Sequence, residues 1–275
     1  MKKNFQFAKM SGAGNDFLVF NNMSKNIMLN AKERAAVCRR GFSVGADGIL
    51  FIQASKRKNC HFRMRYFNSD GREAEMCGNG ARCAARFAFD NGIAPRKLTF
   101  QSKAGTHNAE VLAKGLVRLQ MTKATHFRQK FMVKCLKKNW TGGFVNTGVP
   151  HFVLEVKNLD KIDIANVAPH LRHHSAFGPS GSNINFVELS TGKSIRIRTF
   201  ERGVEGETLA CGTGAVAAAL WIACKHNQSS PIAVKTRGGA LKVIFRRQGS
   251  EFTDVVLEGP TSTILIGKLG NDAFI

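Results

Sequence analysis

No stretch of the 275-residue chain stays apolar long enough to cross a bilayer, so no membrane-spanning helix is expected. Behind Met1-Lys2-Lys3 come Asn4, Gln6, Lys9 and Gly12, which interrupt the apolar core that a secretory signal needs. A cytoplasmic location is the expectation. The sequence also lacks a C-x-x-C pair and any His/Cys cluster with metal-ligand spacing, which argues against a structural zinc site. Seven cysteines, at positions 38, 60, 77, 83, 135, 211 and 224, are an odd number in a chain that needs no disulfide staples, so reduced thiols are expected. Acidic side chains are scarce: 19 stand against 41 Lys and Arg, giving a formal charge of +22. That balance suits nucleic acid, but the basic residues are scattered in short groups such as Lys56-Arg57-Lys58 and Arg246-Arg247, with no recognisable binding module. A solvated surface is the blander and preferred account. Low-complexity sequence is missing as well, and 43% hydrophobic with 22% charged residues describes a globular protein of one large or two ordinary domains.

What is present is an internal repeat. Glu75-Met76-Cys77-Gly78-Asn79-Gly80-Ala81-Arg82-Cys83-Ala84-Ala85 and Leu209-Ala210-Cys211-Gly212-Thr213-Gly214-Ala215-Val216-Ala217-Ala218-Ala219 share Cys-Gly-x-Gly-Ala and an Ala-rich run. Alternating strand patterns precede both, Phe62 to Phe67 and Ile195 to Phe200, and further strand patterns follow, Leu98 to Ser102 and Ile232 to Thr236. Gly14 and Gly148, like Gly105 and Gly239, keep the offset that separates Cys77 from Cys211. Two homologous domains follow, residues 1–119 and 120–263, each with many short strands around one principal helix. Other expected helices are Ala31 to Arg39, after an Asn30 cap, and a short one near Val167 to His173.

A cysteine at the head of such a helix meets unpaired backbone N–H groups and the positive end of the macrodipole. Both stabilise a thiolate, drawing the thiol pKa down from about 8.5 toward neutrality. The flanking glycines leave the amides of Gly78, Asn79, Gly212 and Thr213 open to an anion. The repeat predicts two such cradles facing each other across an interdomain cleft. Together they would hold the carboxylate of an amino acid while one sulfur removes the α-proton and the other delivers one. The blander account of a cysteine in an apolar helix is a small buried hydrophobe, which is the expectation for Cys83 and Cys224.

These residues resemble those of the diaminopimelate epimerase family over essentially the whole chain. The matching blocks are Lys9-Met10-Ser11-Gly12-Ala13-Gly14-Asn15-Asp16-Phe17; Gly45-Ala46-Asp47-Gly48; Phe67-Asn68-Ser69-Asp70-Gly71; Pro150-His151; Asn183-Ile184-Asn185-Phe186; Glu201-Arg202-Gly203; and the two cysteine segments. The resemblance implies an α+β fold of two pseudo-symmetric lobes, each a mixed sheet or barrel around a central helix. It implies that the C-terminal stretch, Ile264 to Ile275, returns to the first lobe. It further implies conversion of LL- to meso-diaminopimelate, a precursor of lysine and peptidoglycan, by a cysteine pair without pyridoxal phosphate or any other cofactor. By position, Cys77 and Cys211 are the acid/base pair, and His151 and Glu201 support proton transfer, Glu201 also lying near the reacting amino group. Asn15, Asn68, Asn183 and Arg202 hold the substrate, Arg202 because guanidinium grips a carboxylate bidentately. Without the family match, Asn15 and Asn68 read as turn formers, His151 as a satisfied loop histidine and Glu201-Arg202 as a surface ion pair.

The family commonly carries Gly-Asn-Pro-His where this chain has Gly148-Val149-Pro150-His151. Valine cannot hydrogen-bond, so a distal polar group of the substrate loses a partner, at a cost of about 1 to 3 kcal/mol if left unsatisfied. Either a neighbour takes over, or the pocket also admits smaller amino acids such as glutamate. The expected partner is a small amino-acid substrate, with neither membrane nor nucleic acid. The oligomeric state stays open, a homodimer included. Rival readings are a proline or hydroxyproline racemase, a thiol-disulfide protein and, weakest, a nucleic-acid-binding module.

Overall fold

The computed structural model describes residues 5–249 and 251–275, which divide into two compact units. One takes in the chain up to Leu119 together with Gly259–Ile275, and the other is Gln120–Glu258.

In the first unit the chain forms β1 (Gln6–Gly12), β2 (Asn15–Asn21), α1 (Ala31–Cys38), β3 (Gly48–Gln53), β4 (Phe62–Asn68), the short β5 (Glu73–Ala74), α2 (Gly78–Asp90), β6 (Lys97–Ser102), β7 (Gly105–Val111) and β8 (Leu116–Gln120). β1 runs antiparallel to β2, β2 parallel to β3, and β3 antiparallel to β4. β4 pairs antiparallel with β5 and parallel with β6, and β6, β7 and β8 continue antiparallel. Helix α1 begins where Asn30 caps it, with Asn30 and Glu33 forming a reciprocal capping box, and it stops at Cys38, one residue short of the expected end.

The second unit contains β9 (Thr125–Cys135), β10 (Lys138–Asn146), β11 (Pro150–Glu155), α3 (Ile164–Arg172), β12 (Asn183–Leu189), β13 (Ser194–Glu201), β14 (Gly206–Thr208), α4 (Gly212–Lys225), β15 (Ile232–Thr236), β16 (Gly239–Gln248) and β17 (Glu251–Pro260). From β10 onward its pairings repeat the order and sense of the first unit's: antiparallel β10–β11, parallel β11–β12, antiparallel β12–β13 and β13–β14, parallel β13–β15, antiparallel β15–β16. The repeat read from cysteine spacing is therefore a repeat of hydrogen-bonded topology. Gly14 and Gly148, at φ 83 and 104, and Gly105 and Gly239, at φ 128 and 139, make equivalent turns that a side chain would strain. Helix α3 starts upstream of the expected Val167, because the Asp163 side chain accepts the Asn166 N–H and so caps an earlier turn.

The two central helices are alike in cause. Buried residues surround most of α2 and nearly all of α4, a pattern that belongs inside a shell of strands. Within the first unit α2 packs on β1, β2, β3, β4 and β7; within the second α4 packs on β9 to β13, β15 and β16. Alanine at 217, 218 and 219 keeps α4 slim enough for strands on all sides, and at Gly143 a β-carbon would come within 2.1 Å of the Trp221 indole. The last strand, β18 (Ser262–Lys268), lies antiparallel to β1, and Leu269 beyond it joins Phe7, Phe20, Val37 and Phe51 in the first unit's core.

Candidate active site

Each unit places a cysteine as the N-cap of its central helix: Cys77 on α2 and Cys211 on α4. An extended residue here turns its side chain toward the first-turn amides. Cys77 Sγ accepts the Gly80 N–H at 3.5 Å and donates to Asn15 Oδ1 at 3.6 Å. Asn79 Nδ2 reaches the same Asn15 oxygen at 3.5 Å, so Asn15, Cys77 and Asn79 form one cluster at the head of α2. Asn15 is held from its other end, where Nδ2 donates to Asp47 Oδ2 at 2.6 Å. Asp47 in turn pairs with Arg40, which also grips Asp16.

Under this cluster lies Arg82, fully buried, with Nη2 donating to Asn79 Oδ1 at 2.9 Å and Nη1 to the Gly78 carbonyl at 3.3 Å. Burial lowers its pKa, while the neighbouring Cys83 and Cys77 act in the opposite sense. Asn68 is exposed at the end of β4, where it lies opposite Gly48.

The second unit's cysteine is served differently. Cys211, 6% exposed, makes no side-chain cap bond; its Sγ lies 3.4 Å from Thr213 Oγ1, and its thiol donates to the Glu201 carboxylate. Glu201 also accepts from Thr208 Oγ1 at 2.9 Å. Burial raises its pKa against those two hydrogen bonds, so Glu201 is a better proton acceptor than an ordinary surface carboxylate. His151 is wholly buried on β11, and burial, against the hydrogen bond with Asn185 and with the nearby Arg202 charge, drives its pKa down to about 3, so the ring is neutral. Asn183 donates to the Pro150 carbonyl at 2.9 Å and accepts the Arg202 N–H at 2.8 Å, tying together the strand ends that carry His151, Glu201 and Arg202. Cys83, by contrast, is enclosed and its thiol is pushed up to about 12, which suits inert packing.

Several supports had no separate sequence signal. Arg65 grips Glu73 with two bonds of 2.8 Å, and Arg198 grips Glu207 with bonds of 2.8 and 2.7 Å, so a forked ion pair braces the hairpin before each cysteine. Asp47 lies in the segment Gly45-Ala46-Asp47-Gly48, where nothing in the spacing distinguishes it from its neighbours. Asn185, two residues from Asn183 on the same strand face, was open to recognition through that period alone.

Comparison with known proteins identifies the family. The family model for diaminopimelate epimerase matches residues 7–127 and 143–264. The chain is 39% identical to a diaminopimelate epimerase of Hydrogenobaculum sp. over 97% of its length and 99% of the relative's. It is 40% identical to one from Chlorobaculum tepidum over 94% and 99%. Among solved structures it superposes on a Bacillus anthracis phenazine biosynthesis protein at TM-score 0.71 and 16% identity, covering 97% of this chain and 99% of that one. A probable proline racemase from Agrobacterium radiobacter gives 0.71 at 13%, covering 98% and 94%, a likeness of fold. The chain belongs to the diaminopimelate epimerase family.

Proposed function

We propose that the protein is an isomerase that converts LL-2,6-diaminopimelate to meso-diaminopimelate with Cys77 and Cys211 as its two bases, without a cofactor. The observation that carries the reading is that each unit caps its central helix with a cysteine among polar side chains. Inversion at carbon needs removal of the α-proton on one face and return of a proton on the other, so two groups suffice when each serves one face. At Cys211 the nearby Glu201 carboxylate receives the thiol proton and leaves a thiolate to act as base. In the opposite direction Cys77 is the thiolate, favoured by the α2 N-terminus and the Arg82 charge, and in each direction the sulfur that is not the base stays a thiol and delivers the proton. The amides of Gly78, Asn79, Gly212 and Thr213 hold the α-carboxylate as charge grows on it. Asn15, Asn68, Asn183 and Arg202 bind the remaining polar groups, and His151 supports the reaction from the second unit.

Turnover of LL-diaminopimelate in D2O tests this. Wild type is expected to place solvent deuterium at the α-carbon, and Cys77→Ala and Cys211→Ala are each expected to lose interconversion. Full turnover in either variant would overturn the two-base reading.

Val149, half-buried in place of the family asparagine, favours a broader substrate range that includes glutamate. Val149→Asn is expected to suppress turnover of smaller amino acids relative to diaminopimelate. An unchanged substrate profile rejects the broader range. Exposed Ile264 and Ile266 on β18, at 54% and 67%, favour a homodimer that covers them. Sedimentation velocity of Ile266→Glu reads this as a shift from dimer to monomer, and a wild type that sediments as a monomer rejects it.

A further inference from the structure

Between Glu110 and Glu155 the sequence contains no Asp or Glu, yet Arg128, Lys130, Lys134, Lys137 and Lys138 fall within that stretch. All of these cations lie on the hairpin of β9 and β10, and all are exposed. Alternation sorts the hairpin into two faces. Val133 is buried in the second unit's core, and Phe131, Cys135 and Trp140 pack against it, so Lys130, Met132 and Lys134 point outward. None of the hairpin's cations has a carboxylate partner among the described residues. Carboxylates of the second unit pair with other cations: Glu155 with Lys225, Asp160 and Glu188 with Arg196, Glu207 with Arg198. The positive charge of the hairpin is left without a counter-charge in its own unit.

The turn at the tip is built against local preference. Leu136 and Lys137 both hold left-handed backbone, at φ 51 and 56, in a two-residue hairpin turn whose ordinary occupants are asparagine and glycine. A bulky residue in that conformation is strained. Leu136 is also 50% exposed, and Met132 on the outward face is 60% exposed. Lys138 lies over the Trp140 ring at 4.1 Å, which keeps its ammonium beside the tip. The hairpin thus holds an apolar tip out into solvent with Lys134, Lys137 and Lys138 around it.

We propose that the β9–β10 hairpin docks the protein on an anionic lipid surface, its lysines meeting headgroup phosphates while Leu136 and Met132 enter the interface. Attraction of basic side chains to anionic headgroups and burial of neighbouring apolar ones add together at such a surface. A second copy of the chain carries the same excess of positive charge and is repelled. A nucleic acid offers bases for stacking, but Phe131 and Trp140 face the core, and the outward groups are chiefly lysine and aliphatic. The contact is peripheral, since no helix among the described residues is long and apolar enough to cross a membrane. It gives this part of the +22 charge a partner, where composition alone led to a solvated surface.

Co-sedimentation of the full chain with lipid vesicles reads this without reference to turnover. Wild type is expected to bind vesicles containing phosphatidylglycerol, to ignore vesicles of phosphatidylcholine alone, and to bind less as salt rises. Combining Lys134→Glu, Lys137→Glu and Lys138→Glu is expected to weaken that binding by at least about tenfold. The same charge change made elsewhere, with Lys56→Glu, Arg57→Glu and Lys58→Glu, should leave it within about twofold of wild type. Leu136→Asn removes the apolar tip and places a residue suited to the turn, so it is expected to raise Tm and yet weaken vesicle binding. Equal loss in the two triple variants would reduce the binding to net charge and overturn the hairpin's role. So would wild-type binding by Leu136→Asn, or no binding by wild type at physiological ionic strength. Retention on a single-stranded RNA oligomer with none on vesicles would overturn it in favour of nucleic acid.

Discussion

Cys77 takes a backbone N–H from Gly80 at 3.5 Å, whereas Cys211 caps its helix without one and relies on Thr213 and Glu201. Near-identical sequence thus sets two thiols in different surroundings, and the carboxylate belongs to Cys211. Glu201→Gln removes the proton acceptor and is expected to lower kcat by about 10²- to 10⁴-fold, with slower alkylation of Cys211 at neutral pH. The same change should stabilise the fold. Burial raises the folded pKa of Glu201 above its unfolded value, so its favourable contribution is complete below the ordinary carboxylate range and is lost as pH rises through the raised pKa. At neutral pH the buried charge is a cost, and Glu201→Gln is expected to raise Tm there and leave it nearly unchanged below the ordinary carboxylate range; thermal unfolding at both pH values checks the sign. Gly214→Ala is the steric counterpart. Its methyl would press on Asn185 Oδ1 at 2.5 Å and touch Cys211 Sγ at 3.4 Å, so activity should fall further than stability, as kinetics and melting of one preparation will read.

Among the elements, the hairpins β4–β5 and β13–β14 are the levers that set where each cysteine sits. Arg65–Glu73 and Arg198–Glu207 are bidentate pairs with both partners at most one-third exposed. Each arginine holds its glutamate below the usual carboxylate range. A depressed folded pKa contributes stability above the unfolded value and loses it as pH falls through the folded one. Glu207→Gln is therefore expected to lower Tm at neutral pH and to make the acid side of the stability profile shallower, which melting from neutral pH down to about pH 3 will show. The strands and central helices were legible beforehand because alternation and the Cys-Gly-x-Gly-Ala run are local signals. Ile232–Thr236 forms β15 as read, and α2 and α4 start directly after their cysteines. The start of α3 was not legible, because Asp163 caps a turn that no apolar period marks. Nor were the forked pairs, since an arginine on one strand meets its glutamate only once the hairpin has closed.

For the molecule as a whole, no helix among the described residues is long and apolar enough to cross a membrane. The chain's last segment completes the first unit. β18 pairs with β1, and Leu269, 2% exposed, packs in the same core as Phe7, Phe20 and Phe51. Leu269→Ala is expected to destabilise the protein by about 2 to 5 kcal/mol, measured by urea unfolding. Removal of residues 262–275 is expected to leave the first unit open to limited proteolysis while Gln120–Glu258 resists it longer. The sequence by itself determined the repeat, the helix heads and which two cysteines cap them, because each is written in short-range pattern: glycines that permit a turn, alanines that permit a buried helix, a cysteine at the cap. Only the tertiary structure decided which partner each group meets. Asp47 on Asn15 and Asn185 on His151 are contacts between residues 32 and 34 apart in the chain, and Glu201 meets Cys211 only once the hairpin between them has closed. Protonation depends on such contacts and on burial, neither of which local spacing records.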